Sequence, residues 1–288
     1  MPLFSVIIPT YNHCDTIVWA LKSAQRQSVQ DFEIIVSGDG VPDRTREIMA
    51  EFCEQDSRIR FLDNPKGEHK GELNRHKAVL AADGKYIAYL SDDDLWHESH
   101  LAVLTEGLEQ SDFCHTLHGC VYPTGKLEIF PGDISSTFCR EVLLDKHYNF
   151  FGPTCVGHTK EAYKRLPLGW SVAPPPESWA DLHMWRQWFK APGLRFLSIP
   201  KLTTVHLDSP GRGHMSIEKR AAESKVWLEK ISAAGGMKEI EDDALRQVVL
   251  KQGCYEFMAH ELSREKRKLL EKMATLEEKL QHSWDIIS

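Results

Sequence analysis

Residues 1–90 alternate short apolar runs with amphipathic stretches, and the apolar runs stop at turn-forming or polar residues. Phe4 to Ile8 reads as a buried strand stopped by Pro9, and Phe32 to Val36 as a second, ended by Gly38-Asp39-Gly40. Ile59 to Leu62 and Tyr86 to Leu90 supply a third and a fourth. Between them the pattern shifts to helical spacing. Asp15 can cap a helix that keeps Ile17, Ala20, Leu21 and Ala24 on one face. A second helix is predicted from about Arg44 to Cys53, and a third after the polar loop Asn64 to Gly71, ending near Gly84. Apolar strands alternating with helices predict an α/β fold whose mostly parallel sheet is covered on both faces.

In such sheets, sites form at the carboxyl ends of the strands. Three of these ends carry unusual residues: Pro9-Thr10-Tyr11-Asn12, Gly38-Asp39-Gly40 and Ser91-Asp92-Asp93-Asp94. Three consecutive carboxylates after a buried strand repel one another and raise each other's pKa. A divalent cation removes that penalty, and hard oxygen ligands suit Mg2+ or Mn2+, which complete their shell with substrate phosphates. The competing reading is a solvated acidic turn that caps the following helix.

Bulk properties narrow the classes further. The formal net charge of −7 over 288 residues gives no global basic field for nucleic acid. No apolar run approaches the roughly 20 residues of a membrane helix, and the start lacks a signal-peptide layout. Peripheral membrane contact stays open. Seven scattered cysteines without a CxxC pair predict reduced thiols, a cytoplasmic location and no zinc site.

Beyond Leu95 the pattern is mixed. Val103 to Leu108 belongs to a helix, and Phe113 to Glu128 reads as strands joined by a Pro123-Thr124-Gly125 turn. Pro174-Pro175-Pro176 leads stiffly into a helix from Glu177 to Phe189, with strands at Leu194 to Ile199 and Leu202 to Val205 on either side of Pro200. The chain divides at about residue 215, before a charged helical tail over 216–288. There Val248, Gln252, Tyr255, Ala259, Leu262, Lys266, Leu269, Met273, Leu276 and Leu280 follow alternating steps of four and three. This heptad seam fits a coiled coil, making the chain a homo-oligomer or joining it to a further module, or else a helix laid along the domain.

The residues Ser5-Val6-Ile7-Ile8-Pro9-Thr10-Tyr11-Asn12, Gly38-Asp39-Gly40 and Tyr89-Leu90-Ser91-Asp92-Asp93-Asp94 resemble the family 2 glycosyltransferases of the GT-A fold, over roughly residues 3 to 207. The resemblance implies an inverting, metal-dependent transfer from a nucleotide-sugar donor to a glycan or other hydroxyl acceptor. UDP is its default nucleotide, with GDP and dTDP as alternatives, and its setting is surface polysaccharide assembly. It further implies that Pro9, Thr10, Tyr11, Asn12 and Asp39 hold the nucleotide, with Tyr11 offering a flat face to a base and Asp39 an acceptor. Arg75 matches the family arginine that contacts diphosphate, although His76 stands where asparagine is common. Ser91 replaces the first acid of the Asp-x-Asp motif and is counted with the nucleotide contacts, which aligns Asp92 with the ribose contact and Asp93 and Asp94 with the metal.

The same resemblance places the catalytic base in Glu177-Ser178-Trp179-Ala180-Asp181, as Asp181, with Glu177 in reserve and Ala180 departing from the usual glutamate. It offers His206 as a late metal ligand or phosphate contact, and Arg212 and His214 as groups closing over diphosphate. Trp185 and Trp188 share a helix face and read as core, whereas Trp179 lies nearer the cleft, where it can stack on an acceptor sugar. A sugar nucleotidylyltransferase or a dinucleotide dehydrogenase requires a glycine-rich loop after the first strand, and Thr10-Tyr11-Asn12-His13 has no glycine. A non-catalytic scaffold acting through the heptad tail is the alternative from another class.

Overall fold

A computed structural model describes residues 1–175 and 179–287, leaving aside the side chains at 255–256 and 274–287. The chain opens with β1 (Phe4–Thr10), α1 (Ile17–Gln25), β2 (Phe32–Asp39), α2 (Asp43–Gln55) and β3 (Ile59–Asn64). Next come α3 (Glu72–Leu80), β4 (Tyr86–Tyr89), β5 (Leu95–Trp96) and α4 (His100–Leu108). The middle of the chain forms β6 (Phe113–Val121), β7 (Leu127–Phe130), α5 (Thr137–Asp145), β8 (Val156–Thr159) and α6 (Lys160–Tyr163). After α7 (Ala180–Lys190), β9 (Phe196–Leu202) and β10 (Thr204–Leu207), the helices α8 (Ile217–Ser232) and α9 (Gly236–Ile287) complete it.

The strands join one ten-stranded sheet in the order β3-β2-β1-β4-β8-β6-β10-β5, with β7 and β9 also paired to β6. The first four strands are mutually parallel, so their carboxyl ends meet on one rim: Thr10 stands opposite Gly38, and Asp39 opposite Asn64. β8 then enters antiparallel to both β4 and β6. Side chains alternate across the sheet with the two-residue period of a strand. Phe4, Val6, Ile8, Ile34 and Val36 pack under Ile17, Leu21, Ile48 and Leu104 on one face. Ile7, Ile35, Ile87 and Tyr89 pack on the other with Val79, Trp170, Trp185 and Trp188. Both faces are apolar because both are covered, each buried aliphatic or aromatic side chain contributing about 1.5–3 kcal/mol.

Several elements depart from the sequence expectations. Asp15 does not cap α1: its N-cap position is Thr16, in a helical conformation and without a side-chain capping bond. Pro200 does not separate two strands but lies within β9, beside the register shift in the β6–β9 pairing, an irregularity of the kind that accommodates proline. The predicted helix after the proline run begins at Ala180, while Glu177 lies outside the described residues.

The chain resolves into two units, Met1–Glu241 and Asp242–Ser288. The first extends past residue 215 because α8 buries Ala221, Trp227, Leu228 and Ile231. The second is helical throughout its described length; Leu262, Leu269 and Met273 of the heptad seam are exposed, and the side chains of Tyr255, Leu276 and Leu280 lie outside the description. No helix among the described residues is long and apolar enough to cross a membrane. All seven cysteines are free thiols.

Candidate active site

The rim formed by β1, β2 and β4 opens into a cleft of about 480 Å³ lined by Pro9, Thr10, Tyr11, Asn12, Asp39, Arg75, Ser91, Asp92, Asp93 and Asp181, among others. Ten of the sequence-predicted site residues therefore meet in one cavity. Asp94 and His206 are not among its lining residues.

At the β2 end of the cleft, Asp39 terminates its strand and is almost fully buried. Its Oδ1 accepts from the backbone N of Gly67 at 2.7 Å and from Asn74 Nδ2 at 2.8 Å, and its Oδ2 accepts from Lys66 Nζ at 2.5 Å. Burial pushes its carboxyl upward, but these donors outweigh burial and hold it below the usual range. Close approach of the loop over Asp39 depends on Gly71, which has φ +70; a Cβ there would lie 2.5 Å from Asp39 Cγ. Tyr11 is half exposed, and Lys66 Nζ sits 4.9 Å from its ring centroid. Thr10 Oγ1 is buried with no described hydrogen-bond partner.

Asp92 and Asp93 face the cleft together with a residue that the sequence reading left unassigned. His13 Nδ1 lies 2.9 Å from Asp92 Oδ1 and 3.8 Å from Asp93 Oδ2. One ligand atom from each of His13, Asp92 and Asp93 falls within a 4.8 Å cluster, a nitrogen–oxygen donor set able to hold a divalent cation. Burial, then the neighbouring charges of Asp94 and Asp92, raise the Asp93 carboxyl above its ordinary value. Such crowding is what a cation relieves, so the residues present fit a metal. In this structure the compensating charge comes from Arg220 of α8, whose Nη2 donates to Asp93 Oδ2 at 2.8 Å.

Asp94 turns away from its two neighbours. Its Oδ1 accepts from His206 Nδ1 at 2.9 Å and from the backbone N of Leu207 at 3.1 Å, while its Oδ2 accepts from the Thr154 hydroxyl. Burial opposes charge on His206, but Asp94 outweighs it and lifts the imidazole to about 9. The pair ties the end of β4 to β10, beneath Ser91, whose backbone N donates to Thr154 Oγ1 at 3.2 Å. Nothing in the sequence separates this inward-facing acid from the two beside it.

Asp181 occupies the first turn of α7. Its Oδ1 accepts from the backbone N of Leu182 and its Oδ2 from Asn149 Nδ2, each at 2.9 Å. Burial raises its pKa, opposed by the Leu182 N–H and by the charges of Arg75 and Lys70. Arg75 stacks over Trp170 at 4.3 Å and leaves its buried Nε without a described partner, a donor free for an anionic ligand. Arg212, expected over diphosphate, is instead buried: its fork binds Glu223 at 2.6 and 2.7 Å and the Val121 carbonyl at 2.8 Å. Trp185 and Trp188 are fully buried, as their spacing predicts, while Trp179 remains partly exposed against His147 at a ring separation of 4.1 Å.

The sequence pattern of glycosyl transferase family 2 matches residues 5–163. The chain is 27% identical over 177 residues to a GalNAc(5)-diNAcBac-PP-undecaprenol beta-1,3-glucosyltransferase of Campylobacter jejuni, covering 53% of this chain and 57% of that protein. It is 36% identical over 111 residues to the uncharacterized glycosyltransferase EpsJ of Bacillus subtilis, covering 38% of this chain and 32% of the relative. The chain thus spans less than two thirds of either relative. Among solved structures, S. aureus TarS residues 1–349 align with a TM-score of 0.55 at 18% identity, over 80% of this chain and 69% of that one. The mannosyltransferase PcManGT of Pyrobaculum calidifontis, in complex with GDP-Man and Mn2+, aligns with a TM-score of 0.52 at 20% identity, over 84% of this chain and 69% of that one. These likenesses give the GT-A fold, and the match over 5–163, which contains the strand ends that build the cleft, shows that the chain belongs to glycosyl transferase family 2.

Proposed function

We propose that the chain transfers a sugar from a nucleotide diphosphate donor, UDP by default, to a hydroxyl acceptor with inversion, in the assembly of a surface glycan. The observation that carries this reading is that Asp39, the Asp92–Asp93 pair and Asp181 all line one cleft. Asp39 and Tyr11 bind the nucleoside, the first by accepting hydrogen bonds and the second by its ring face. Arg75 offers its unpartnered Nε–H to the diphosphate. Asp181 takes the proton from the acceptor hydroxyl as it attacks the anomeric carbon, and the leaving diphosphate departs on the opposite side. Asp92, Asp93 and His13 would hold Mg2+ or Mn2+, which when bound supplies positive charge against the charge developing on the diphosphate.

In this reading the exposed heptad seam pairs with a second copy of the chain. Removal of residues 242–288 is then expected to convert a dimer to a monomer in light scattering.

The test of the chemistry is a panel of nucleotide-sugars monitored for nucleotide release, with Mn2+ and with chelator. Transfer that depends on metal and is lost in Asp181→Asn supports the reading. Undiminished turnover in both conditions overturns it. Turnover absent across the panel, with metal-independent nucleotide binding retained, favours the scaffold reading instead.

A further inference from the structure

Arg220 lies on α8, outside residues 5–163 covered by the family match, yet it reaches back to the acids at the end of β4. Its Nη2 donates to Asp93 Oδ2 at 2.8 Å and to Ser209 Oγ at 2.5 Å, and its Nη1 donates to His13 Nε2 at 3.3 Å. Only 12% of its side-chain surface is exposed. Asp93, Ser209 and His13 all line the cleft, so the guanidinium sits behind its wall and touches two of the three candidate metal ligands.

The helix is fastened in this position. Ser216 caps α8 by accepting from the Lys219 N–H, and the buried Arg212 holds Glu223, three residues past Arg220, with a two-pronged contact. Arg220 therefore faces Asp93 because the helix beneath it is anchored. Its charge is held where a metal ion bound by Asp93 would meet it.

Resting on the metal-dependent reading above, we propose that Arg220 is a charge-exchange residue. It neutralises Asp93 while the cleft is empty, and it transfers to the donor's diphosphate when a divalent cation takes the carboxylate. Two physical constraints compel the exchange. A cation and a guanidinium that share one carboxylate oxygen repel each other, so each weakens the other's hold. A largely buried guanidinium that loses its carboxylate requires another anion, and a diphosphate in a cleft walled by Asp93 and Ser209 is the anion within reach. Cation and nucleotide then bind cooperatively, since each provides what the other's arrival removes.

The test is isothermal titration of the full chain with Mn2+ alone, and then with UDP at saturating Mn2+, for the wild type, Arg220→Gln and Arg220→Lys. Arg220→Gln is expected to bind Mn2+ alone about 5- to 10-fold more tightly, because a competing positive charge is gone. The same variant is expected to bind UDP at saturating Mn2+ about 10-fold more weakly, because a charge-assisted contact is lost. Arg220→Lys, which retains the charge, restores Mn2+ affinity towards the wild-type value and recovers part of the UDP affinity. A merely structural role moves both affinities in the same direction, and that result overturns the proposal, as does an unchanged UDP affinity. If Mn2+ binds neither the wild type nor Arg220→Gln, with or without UDP, the metal reading falls and the proposal falls with it. If Mn2+ binds equally to both, the exchange alone is refuted.

Discussion

The Nδ1 of His13 lies 2.9 Å from Oδ1 of Asp92, joining the turn after β1 to the acid cluster after β4. With Nε2 accepting from Arg220, the proton of a neutral ring resides on Nδ1 and is donated to the carboxylate. The contact either orients Asp92 for a metal or is exchanged for direct ligation by the ring. In both cases His13→Ala is expected to weaken Mn2+ binding about 10- to 100-fold, the usual cost of losing a ligand-orienting group. Electron paramagnetic resonance of free Mn2+ in a titration measures it directly. Equal affinity in the variant would remove His13 from the site.

Asp181 is held above the ordinary carboxylate range mainly by burial. A base acts only when deprotonated, so activity is expected to rise with pH through this raised value and to be lost as pH falls below it. The acidic limb of the rate profile therefore lies above the pH at which an exposed aspartate titrates. Asn149 donates to the charged form, so Asn149→Ala moves that limb upward by about one pH unit. Asp181→Asn lowers turnover by about 10²- to 10⁴-fold while UDP affinity stays near the wild-type value. A limb that remains in place in Asn149→Ala assigns the titration to another group.

That Tyr11, Asp39 and Asp92 line one cleft was legible in the sequence, and the reason is topological. Parallel strands deliver their carboxyl ends to one rim, so Tyr11, Asp39 and Asp92 converge whatever the loops between them do. The first four strands were legible for the same reason: each is an apolar run closed by a turn. What stayed hidden depends on contacts between elements distant in sequence. The different roles of Asp93 and Asp94 are set by Arg220, 127 residues away, and by His206, 112 residues away. His13 carried a faint signal as a polar residue in the turn after β1. Arg212 was expected over diphosphate because it stands between two glycines in the loop after β10, whereas its partner Glu223 lies on the next helix.

Gly71 tests how closely the loop after β3 must cover Asp39. Its φ of +70 disfavours any L side chain, and the added Cβ would lie 2.5 Å from the Asp39 carboxyl carbon. Gly71→Ala is expected to cost about 1–2 kcal/mol of stability from the backbone alone. It is also expected to push the carboxylate away from Lys66, Gly67 and Asn74, weakening UDP binding about 10-fold. Thermal melting and nucleotide titration separate the two effects. A loss of stability with full UDP affinity would mean that Asp39 does not bind the nucleoside.

Three fully buried histidines, His100, His115 and His158, together with the half-buried His118, give the fold an acid-sensitive core, and His158 stands outside the acid cluster. This ring is fully buried; its Nε2 accepts from Tyr89 OH at 2.7 Å and its Nδ1 donates to the Thr159 carbonyl at 3.1 Å. Both nitrogens are thus satisfied in the neutral state, and burial pushes the pKa down to about 3. Burial likewise depresses His100 and His118 to about 3 and His115 to about 4. An unfolded histidine titrates near 6.5, so between that value and the folded one the unfolded chain binds the extra proton. Stability supplied by the neutral ring is therefore complete above pH 6.5 and declines as pH falls towards 3. For one such ring the loss between pH 7 and pH 5 is about 2 kcal/mol. His158→Gln keeps an acceptor for Tyr89 and a donor for Thr159, and removes the titration. Urea unfolding at pH 7 and pH 5 is expected to show a pH-dependent drop smaller in this variant by about that amount, whatever its stability at pH 7. Identical drops in the two proteins would mean that His158 carries its proton in the folded state, against the hydrogen bonds that hold it neutral.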